Sequence, residues 1–292
     1  MKLIDGKKLA AEIRTTIAAE IRTHEIHPTL AVLLVGSDAA SRLYVGLKEK
    51  AAAEVGIRTI IERKTDTIMD DELITLIQTW NNDPNVDAIL VQLPLPSGHD
   101  ETRIVNAIQP SKDADGFHPT NREKLLRGEG NTFPPLHEGI LRLIATTGIH
   151  LNGAKATLIG NSDAFLEPLS YLLTRAGCVV ESMKPADLNV RGLKESNVVV
   201  TAVGRSNFLT SSMTAEGAVV IDVGTNRRAD GSVCGDVDEK SFHEKDGWLT
   251  PVPGGVGPMT VAMLLASVLQ CATAISPRQS DEPRTPGEQY TP

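Results

Sequence analysis

A tyrosine and a lysine four residues apart, Tyr44 and Lys48, could together hold a flat ligand and move a proton. On a helix this spacing places both side chains on one face, about one turn apart. The apolar run at residues 29–35, TLAVLLV, ends at Gly36 and is typical of a buried parallel strand. We therefore expect the pair at the carboxyl end of a strand, where open α/β sheets bind ligands. The spacing alone also fits a solvated helix face or the Tyr/Lys pair of short-chain dehydrogenases.

Polar residues also follow two later strand regions of the same predicted sheet. Gln92 lies near the end of residues 86–93, VDAILVQL, where an amide must find a partner or face a cleft. Asp113 and Asp115 flank an alanine in a glycine-containing loop, where aspartate is also a common turn former. Because the carboxyl ends of parallel strands meet at one edge, we expect these groups near the Tyr/Lys pair.

The elements that position these residues alternate between strand and helix through the first 110 residues. This alternation predicts a parallel, three-layer α/β arrangement. Residues 109–131 are polar and rich in glycine and proline, so they are expected to form a long functional loop. A bridging helix is expected at residues 137–147, and residues 81–85 are expected to form a turn.

A second strand–turn–helix series begins at Ala154 and indicates a Rossmann-like domain. Its first turn, Gly160-x-Ser162, could hold a phosphate on backbone N–H groups, although an ordinary turn reads the same way. Residues 250–258, TPVPGGVGP, form a Pro/Gly loop that either admits a ligand to the backbone or makes a tight connection. The apolar helix that follows, residues 259–275, is expected to be buried.

The predicted fold is therefore α/β, with two domains around a cleft and the last helix returning to the first domain. The expected divisions are a catalytic domain at residues 1–120 plus 259–276, a Rossmann-like nucleotide-binding domain at 121–258, and a disordered tail at 277–292.

The charge balance argues against a nucleic-acid or membrane-surface partner. The chain has 29 basic and 37 acidic residues, a net charge of −8, and no basic run. Its three cysteines, Cys178, Cys234 and Cys271, are far apart, which predicts reduced thiols in a cytoplasmic protein and no metal site. We expect no apolar run to reach the roughly 18 residues that cross a bilayer.

Several segments in this order resemble the methylenetetrahydrofolate dehydrogenase/methenyltetrahydrofolate cyclohydrolase family, over roughly residues 2–275. The short-chain dehydrogenase alternative fails, because that family places its glycine-rich cofactor turn before the Tyr/Lys pair. The segments that carry the resemblance are VGSDAASRLYVGLKEKAAAEVGI (35–57), VQLPLP (91–96), PSKDADGFHPTN (110–121), DVGTNRRADGSVCGDVD (222–238) and TPVPGGVGPMTVAMLL (250–265).

The resemblance implies a role for each folate-side residue. Lys48 matches the catalytic lysine, which manages protons as methenyltetrahydrofolate is hydrated and opened to the 10-formyl form. Gln92 matches the glutamine that hydrogen-bonds this lysine, and Tyr44 matches the tyrosine that packs on the folate. Asp115 matches the carboxylate that pairs with N–H groups of the pterin. The loop expected to line the folate site contributes Pro253, Gly254 and Gly255.

The resemblance also implies a nicotinamide cofactor, NADP or NAD, that accepts hydride in the dehydrogenase reaction. The implied contacts are Gly160, Asn161, Ser162, Gly204 and Thr225. Here the chain departs from the family pattern. Asn161 replaces an arginine associated with the 2′-phosphate of NADP, and Leu166 replaces a glycine near the phosphates. Residues 179–188 are shorter than usual and lack a Ser-Arg pair.

A third departure is at residues 134–139, where PPLHEG replaces a Pro-Cys-Thr-Pro-x-Gly pattern. These changes leave open a bifunctional enzyme using NADP or NAD, a monofunctional cyclohydrolase, and a non-catalytic folate-binding paralogue. The resemblance further implies a homodimer formed through the Rossmann-like domain.

Overall fold

A computed structural model of the chain describes residues 1–129 and 133–275. The predicted disorder of residues 277–292 lies outside this part of the chain. The strands are β1 (Lys2–Leu3), β2 (Thr29–Val35), β3 (Arg58–Lys64), β4 (Ala88–Val91), β5 (Lys155–Gly160), β6 (Val179–Met183), β7 (Val198–Ala202), β8 (Val219–Asp222), β9 (Asn226–Arg227), β10 (Val233–Cys234) and β11 (Trp248–Leu249).

The helices surround two sheets and cover their faces. They are α1 (Gly6–Thr23), α2 (Ala39–Val55), α3 (Asp70–Asn82), α4 (Glu101–Val105), α5 (Pro119–Arg127), α6 (Pro135–Ala145), α7 (Asp163–Arg175), α8 (Val190–Leu193) and α9 (Val256–Ile275).

The first sheet is the three-stranded parallel sheet β3-β2-β4, which confirms the predicted α/β arrangement. Every residue of β2 is buried, as its unbroken apolar sequence requires of a central strand covered on both faces. The loop after α4 extends this sheet, because Ala114 donates its backbone N–H to Ile89 O at 3.1 Å. This contact brings residues 113–115 alongside β4.

Helix α2 begins and ends at residues suited to those positions. The Asp38 carboxylate accepts the Ser41 backbone N–H at 2.7 Å, which satisfies a free donor of the first turn. Gly56 follows the helix with φ +90°, a left-handed conformation that glycine adopts without steric cost. Val45, Ala52 and other inward residues pack against the first sheet and α9. The helix therefore holds Tyr44 and Lys48 at a fixed height above the sheet.

The second sheet has six strands in the order β1-β11-β8-β7-β5-β6, all parallel. Its core strands β5, β7 and β8 confirm the predicted Rossmann-like series. The sequence did not predict β1 and β11, which place the first residues of the chain in this sheet. The Asp-Gly turn near Asp230 connects β9 and β10 into an antiparallel hairpin.

The structure corrects two predictions near the middle of the chain. Residues 109–131 were expected to form a loop, but α5 occupies nine of them. Pro119 begins this helix, the His118 imidazole accepts the Thr120 backbone N–H, and Gly128 ends it with φ +72°. The expected turn at residues 81–85 starts later, because α3 continues to Asn82.

Helix α9 packs against α1 and α6 and lies between the two sheets, which confirms that the last helix returns to the first domain. Its residues Val256–Ala274 are long and apolar enough to cross a membrane, so the expectation that no run reaches that length was wrong. Two thirds of this stretch is buried inside the protein, and length and composition alone are weak evidence for a membrane span. Here the apolar residues serve as a shared core.

Candidate active site

Lys48 and Gln92 form the central contact of the site. The Lys48 ammonium donates to Gln92 Oε1 at 3.0 Å, joining α2 to the segment that follows β4. The Gln92 amide nitrogen donates to Leu93 O at 2.6 Å, which fixes the oxygen of this side chain toward the lysine. Lys48 is only 9% exposed, and a cation at that depth needs such a partner. The predicted proximity of Lys48 and Gln92 is therefore confirmed.

The two loop aspartates differ sharply in their surroundings. Asp113 is buried and accepts the backbone N–H groups of Gly116 at 3.1 Å and His118 at 2.8 Å, and the Asn121 amide at 3.0 Å. It therefore organises the loop, as the turn-former interpretation suggested. Asp115 is half-buried and, within the described residues, its carboxylate accepts no hydrogen bond. The sequence could not separate these roles, because both residues have the same type and setting.

The pKa of Asp115 is raised to about 6, because the effect of burial, to which the Asp113 carboxylate adds, exceeds the opposing effect of the Lys48 ammonium. The influence of Lys48 places Asp115 close to the Lys48–Gln92 pair. At neutral pH this carboxylate is mostly ionised and able to accept two hydrogen bonds. The arrangement combines a proton-carrying amine with an unoccupied anionic acceptor.

Tyr44 joins this cluster to a cavity of about 460 Å³ between α2 and the second domain. The cavity is also lined by Pro253, Gly254 and Gly255, as expected for the folate-side loop, and by Thr225. Lys48 lies one helical turn after Tyr44 but does not line the cavity. A ligand resting on the tyrosine ring would thus reach the cavity in one direction and the lysine in the other.

The first turn of the second domain lies between β5 and α7. Ser162 caps α7, with its hydroxyl 3.4 Å from the Phe165 backbone N–H. Asn161 donates its side-chain amide to Val203 O at 2.7 Å, which places the turn beside Gly204. A Cβ on Gly160 would meet Phe165 Cδ1 at 2.9 Å, so glycine is required there. Four of the five predicted cofactor residues are therefore close together, whereas Thr225 lines the cavity near Tyr44.

The change at residues 134–139 places a histidine in the core. His137 is 1% exposed, and burial lowers its pKa to about 4. The ring is therefore neutral, and its Nε2–H donates to Phe165 O at 2.9 Å. His137 thus connects α6 to the first turn of α7 and supports the turn that carries Ser162.

Two buried aspartates hold the loops of the second domain, and the sequence did not identify them. Asp236 is fully buried and accepts the backbone N–H groups of Val203, Gly204 and Arg205 at 2.6, 3.2 and 2.9 Å. Asp222 accepts three further backbone N–H groups, including that of Asp236 at 2.9 Å. These carboxylates fix the orientation of the Gly204 loop.

The glycines next to these aspartates in the sequence could have indicated their role. A Cβ on Gly235 would lie 1.8 Å from an Asp222 carboxylate oxygen, and one on Gly224 would lie 2.3 Å from Asp236. Two Asp/Gly-rich segments, one at the end of a strand and one after a hairpin, therefore indicate carboxylates that approach backbone.

Cys178, Cys234 and Cys271 are all free and buried. Within residues 1–129 and 133–275, no cluster of His, Cys, Asp or Glu is arranged to hold a metal ion.

Comparison of the sequence with known proteins finds similar chains. Residues 4–115 match the sequence profile of the tetrahydrofolate dehydrogenase/cyclohydrolase catalytic domain, and residues 134–276 match its NAD(P)-binding domain. A bifunctional protein FolD from Campylobacter curvus is 41% identical over 276 residues, which cover 93% of this chain and 96% of that protein.

Solved structures give the same result. The crystal structure of bifunctional FolD, a methylenetetrahydrofolate dehydrogenase/cyclohydrolase from Campylobacter jejuni, is 38% identical, with a TM-score of 0.90 over 94% of this chain and 99% of that one. The Trypanosoma brucei enzyme, solved with NADP and an inhibitor, is 29% identical, with a TM-score of 0.88 over 93% of this chain and 97% of that one. Similarity therefore extends across both sheets and the cleft between them.

Proposed function

Since the chain belongs to the tetrahydrofolate dehydrogenase/cyclohydrolase family, we propose that Lys48, Gln92, Tyr44 and Asp115 form its folate site. The protein is a bifunctional enzyme of tetrahydrofolate one-carbon metabolism, with methylenetetrahydrofolate dehydrogenase and methenyltetrahydrofolate cyclohydrolase activities. The alternatives of a monofunctional cyclohydrolase and a non-catalytic paralogue are not favoured. The observation that carries the assignment of residues is the Lys48–Gln92 hydrogen bond beside Asp115.

Lys48 is the proton-transfer group of the cyclohydrolase reaction. Water adds to the carbon between N5 and N10 of the methenyl cation, and Lys48, in its neutral amine form for this step, takes one proton from that water. The C–N5 bond then breaks as N5 receives this proton from the lysine, the remaining hydroxyl proton is released to solvent as the formyl C=O forms, and 10-formyltetrahydrofolate remains. Gln92 supports both steps, because its fixed oxygen holds Nζ in one position while the proton moves.

Asp115 and Tyr44 orient the folate. The Asp115 carboxylate accepts two N–H donors of the pterin, and both oxygens are available because they accept no hydrogen bond from the described residues. The tyrosine ring packs on the ligand, and the backbone of Pro253, Gly254 and Gly255 lines the opposite wall. The cavity of about 460 Å³ is in the range of small-molecule sites.

The second domain binds a nicotinamide dinucleotide, NADP or NAD, through Gly160, Asn161, Ser162, Gly204 and Thr225. The bound cofactor supplies the acceptor for hydride from the methylene carbon. The turn fits the diphosphate of such a cofactor, because Ser162 caps a 13-residue helix that directly follows β5, and the N-terminus of a helix attracts anions. Gly204 has φ +70° and open space around its Cα, so a ligand can approach its backbone.

We propose a homodimer in the cytoplasm, with no nucleic-acid or membrane partner. Strand β6 is the edge of the second sheet, and Val179 on it is exposed. An edge strand with unpaired backbone groups can pair with a second copy. The division into a folate-binding domain at residues 1–120 plus 259–276 and a nucleotide-binding domain at 121–258 stays a prediction, supported by the packing of α9 on α1.

Two assays test the proposal on the purified protein. Methylenetetrahydrofolate is incubated with NAD or NADP, and formation of the methenyl product is followed by absorbance. Methenyltetrahydrofolate is then supplied alone, and its decay is compared with the rate in buffer. We expect both reactions above background. No absorbance change with either dinucleotide would contradict the proposed cofactor contacts, whereas decay at the buffer rate would contradict the proposed folate site.

A further inference from the structure

Lys184 lies where a Rossmann-like fold distinguishes NAD from NADP. In such folds the first turn holds the diphosphate, and residues at the end of the next strand face the 2′ position of the adenosine ribose. Here that next strand is β6, and Lys184 directly follows it. Its ammonium lies 3.4 Å from Asn161 O, over the β5–α7 turn. The lysine therefore belongs to the cofactor site proposed above, although the sequence did not identify it.

The charge of Lys184 is already compensated. Its Nζ lies 2.5 Å from Asp163 Oδ1, the first residue of α7, and the pair is partly exposed. Both groups line a groove of about 700 Å³ between α7 and β6. The same groove is lined by three further carboxylates and no further cation; these are Glu167, Glu181 and Asp187.

These carboxylates leave the groove negative. Arg122 pairs with Glu167 from outside the lining. In the part of the chain that the structure describes, Glu181 and Asp187 have no ion-pair partner. A 2′-phosphate carries up to two negative charges, so it would enter beside uncompensated carboxylates and compete with Asp163 for Lys184. Like charges placed against a competing ligand are one of the ways in which a site discriminates between two ligands.

We propose that this groove accepts the unphosphorylated ribose of NAD and excludes the 2′-phosphate of NADP, with Asp163 and Lys184 as the residues that set the preference. The ion pair offers the ribose diol an acceptor and a donor side by side, and neither group must give up its charge. Asn161 cannot replace the missing cation, since its amide is engaged by Val203 O. The inference rests on the proposed binding of a dinucleotide at the β5–α7 turn.

Binding of two fragments tests this preference without any turnover. The folded protein is titrated by calorimetry with ADP-ribose and with 2′-phospho-ADP-ribose, which differ only in the phosphate. We expect ADP-ribose to bind at least about tenfold more tightly at low salt. Asp163→Asn frees the lysine from its carboxylate, so the affinity for the phosphorylated fragment should rise about tenfold. Adding Lys184→Gln to that variant should reverse the gain.

Glu195→Gln is the matched control. It removes one negative charge from the same domain and breaks an exposed ion pair with Lys155, at the opposite end of β5. The affinity ratio of the two fragments should not change in this variant. Tighter binding of the phosphorylated fragment to the unaltered protein would overturn the preference and leave the proposed cofactor site standing. Binding of neither fragment would overturn both, while decay of methenyltetrahydrofolate would still report on the folate site.

Discussion

The two walls of the cleft hold their polar groups in opposite ways. On the first-domain wall, the Asp115 carboxylate accepts no hydrogen bond from the residues that the structure describes, and Lys48 donates to one side-chain oxygen, that of Gln92. On the second-domain wall, Asp236 accepts hydrogen bonds from three consecutive backbone N–H groups and from the Asn226 amide. The first wall keeps bonding capacity for a substrate, whereas the second uses its carboxylates to shape backbone.

This difference separates two uses of aspartate at a binding site. A half-buried carboxylate that lacks hydrogen-bond donors is costly for folding, and it is retained where a ligand supplies those donors. A saturated one fixes a loop by accepting the loop's own backbone N–H groups, so those donors shape the loop and are not offered to a ligand. Asp113 shows that the first domain also uses the second device, only two residues from Asp115.

The largest expected effect comes from removing the amine of the first wall. Lys48→Met should lower the cyclohydrolase rate about 10²- to 10⁴-fold, because a positioned proton-transfer group typically contributes that much. Decay of methenyltetrahydrofolate measures the rate, and circular dichroism checks the fold. Arg42→Met is the control, since Arg42 is an exposed cation on the far face of the same helix. A wild-type rate in the Lys48 variant would show that the proton moves by another route.

A change on the second wall should act on folding. Asp236→Asn places an amide donor against backbone donors and should lower the free energy of unfolding by about 2–4 kcal/mol. Urea denaturation measures this loss. Asp238→Asn serves as the comparison, since the Asp238 carboxylate caps no backbone N–H, and it should change stability by less than about 0.5 kcal/mol. Equal losses in both variants would mean that the Asp236 hydrogen bonds contribute little.

The smallest expected effect is a pH dependence of ligand affinity, which arises from the Asp115 carboxylate of the first wall. The pKa of Asp115 is raised to about 6, so the fraction able to accept two pterin donors falls as pH decreases through that value. Affinity for tetrahydrofolate, which carries no one-carbon unit and cannot react, should therefore fall about tenfold between pH 7.5 and pH 5. Asp115→Asn should bind more weakly at pH 7.5 and lose the pH dependence. A pH dependence retained in that variant would assign the titration to another group.

The sequence predicted the first wall well, because its signals are local. The apolar run of β2 and the helical spacing of Tyr44 and Lys48 fix one side of the site, and strand ends of a parallel sheet must share an edge. Gln92 was expected there for that reason, and it contacts the lysine.

The second wall was harder to predict, since its contacts join residues far apart in sequence. Nothing near Asp236 indicates that it caps residues 203–205, and nothing near Lys184 indicates Asp163. Strands of two residues, such as β1 and β11, carry no periodicity and form only because a neighbouring strand is present. Helix α5 was missed because its polar sequence resembles a loop, although Pro119 and Gly128 mark its ends.

The pairing of β1 with β11 has a consequence for the order in which the chain becomes structured. Lys2 and Leu3 are synthesised before every other strand described here, but their partners Trp248 and Leu249 follow only after nearly all of those strands. The opening residues must therefore stay unpaired while both sheets form, and the second sheet closes its outer edge last. Contacts of such long sequence separation slow folding. Pairing of β1 therefore completes the second sheet, and it can occur only after residue 249 has been synthesised.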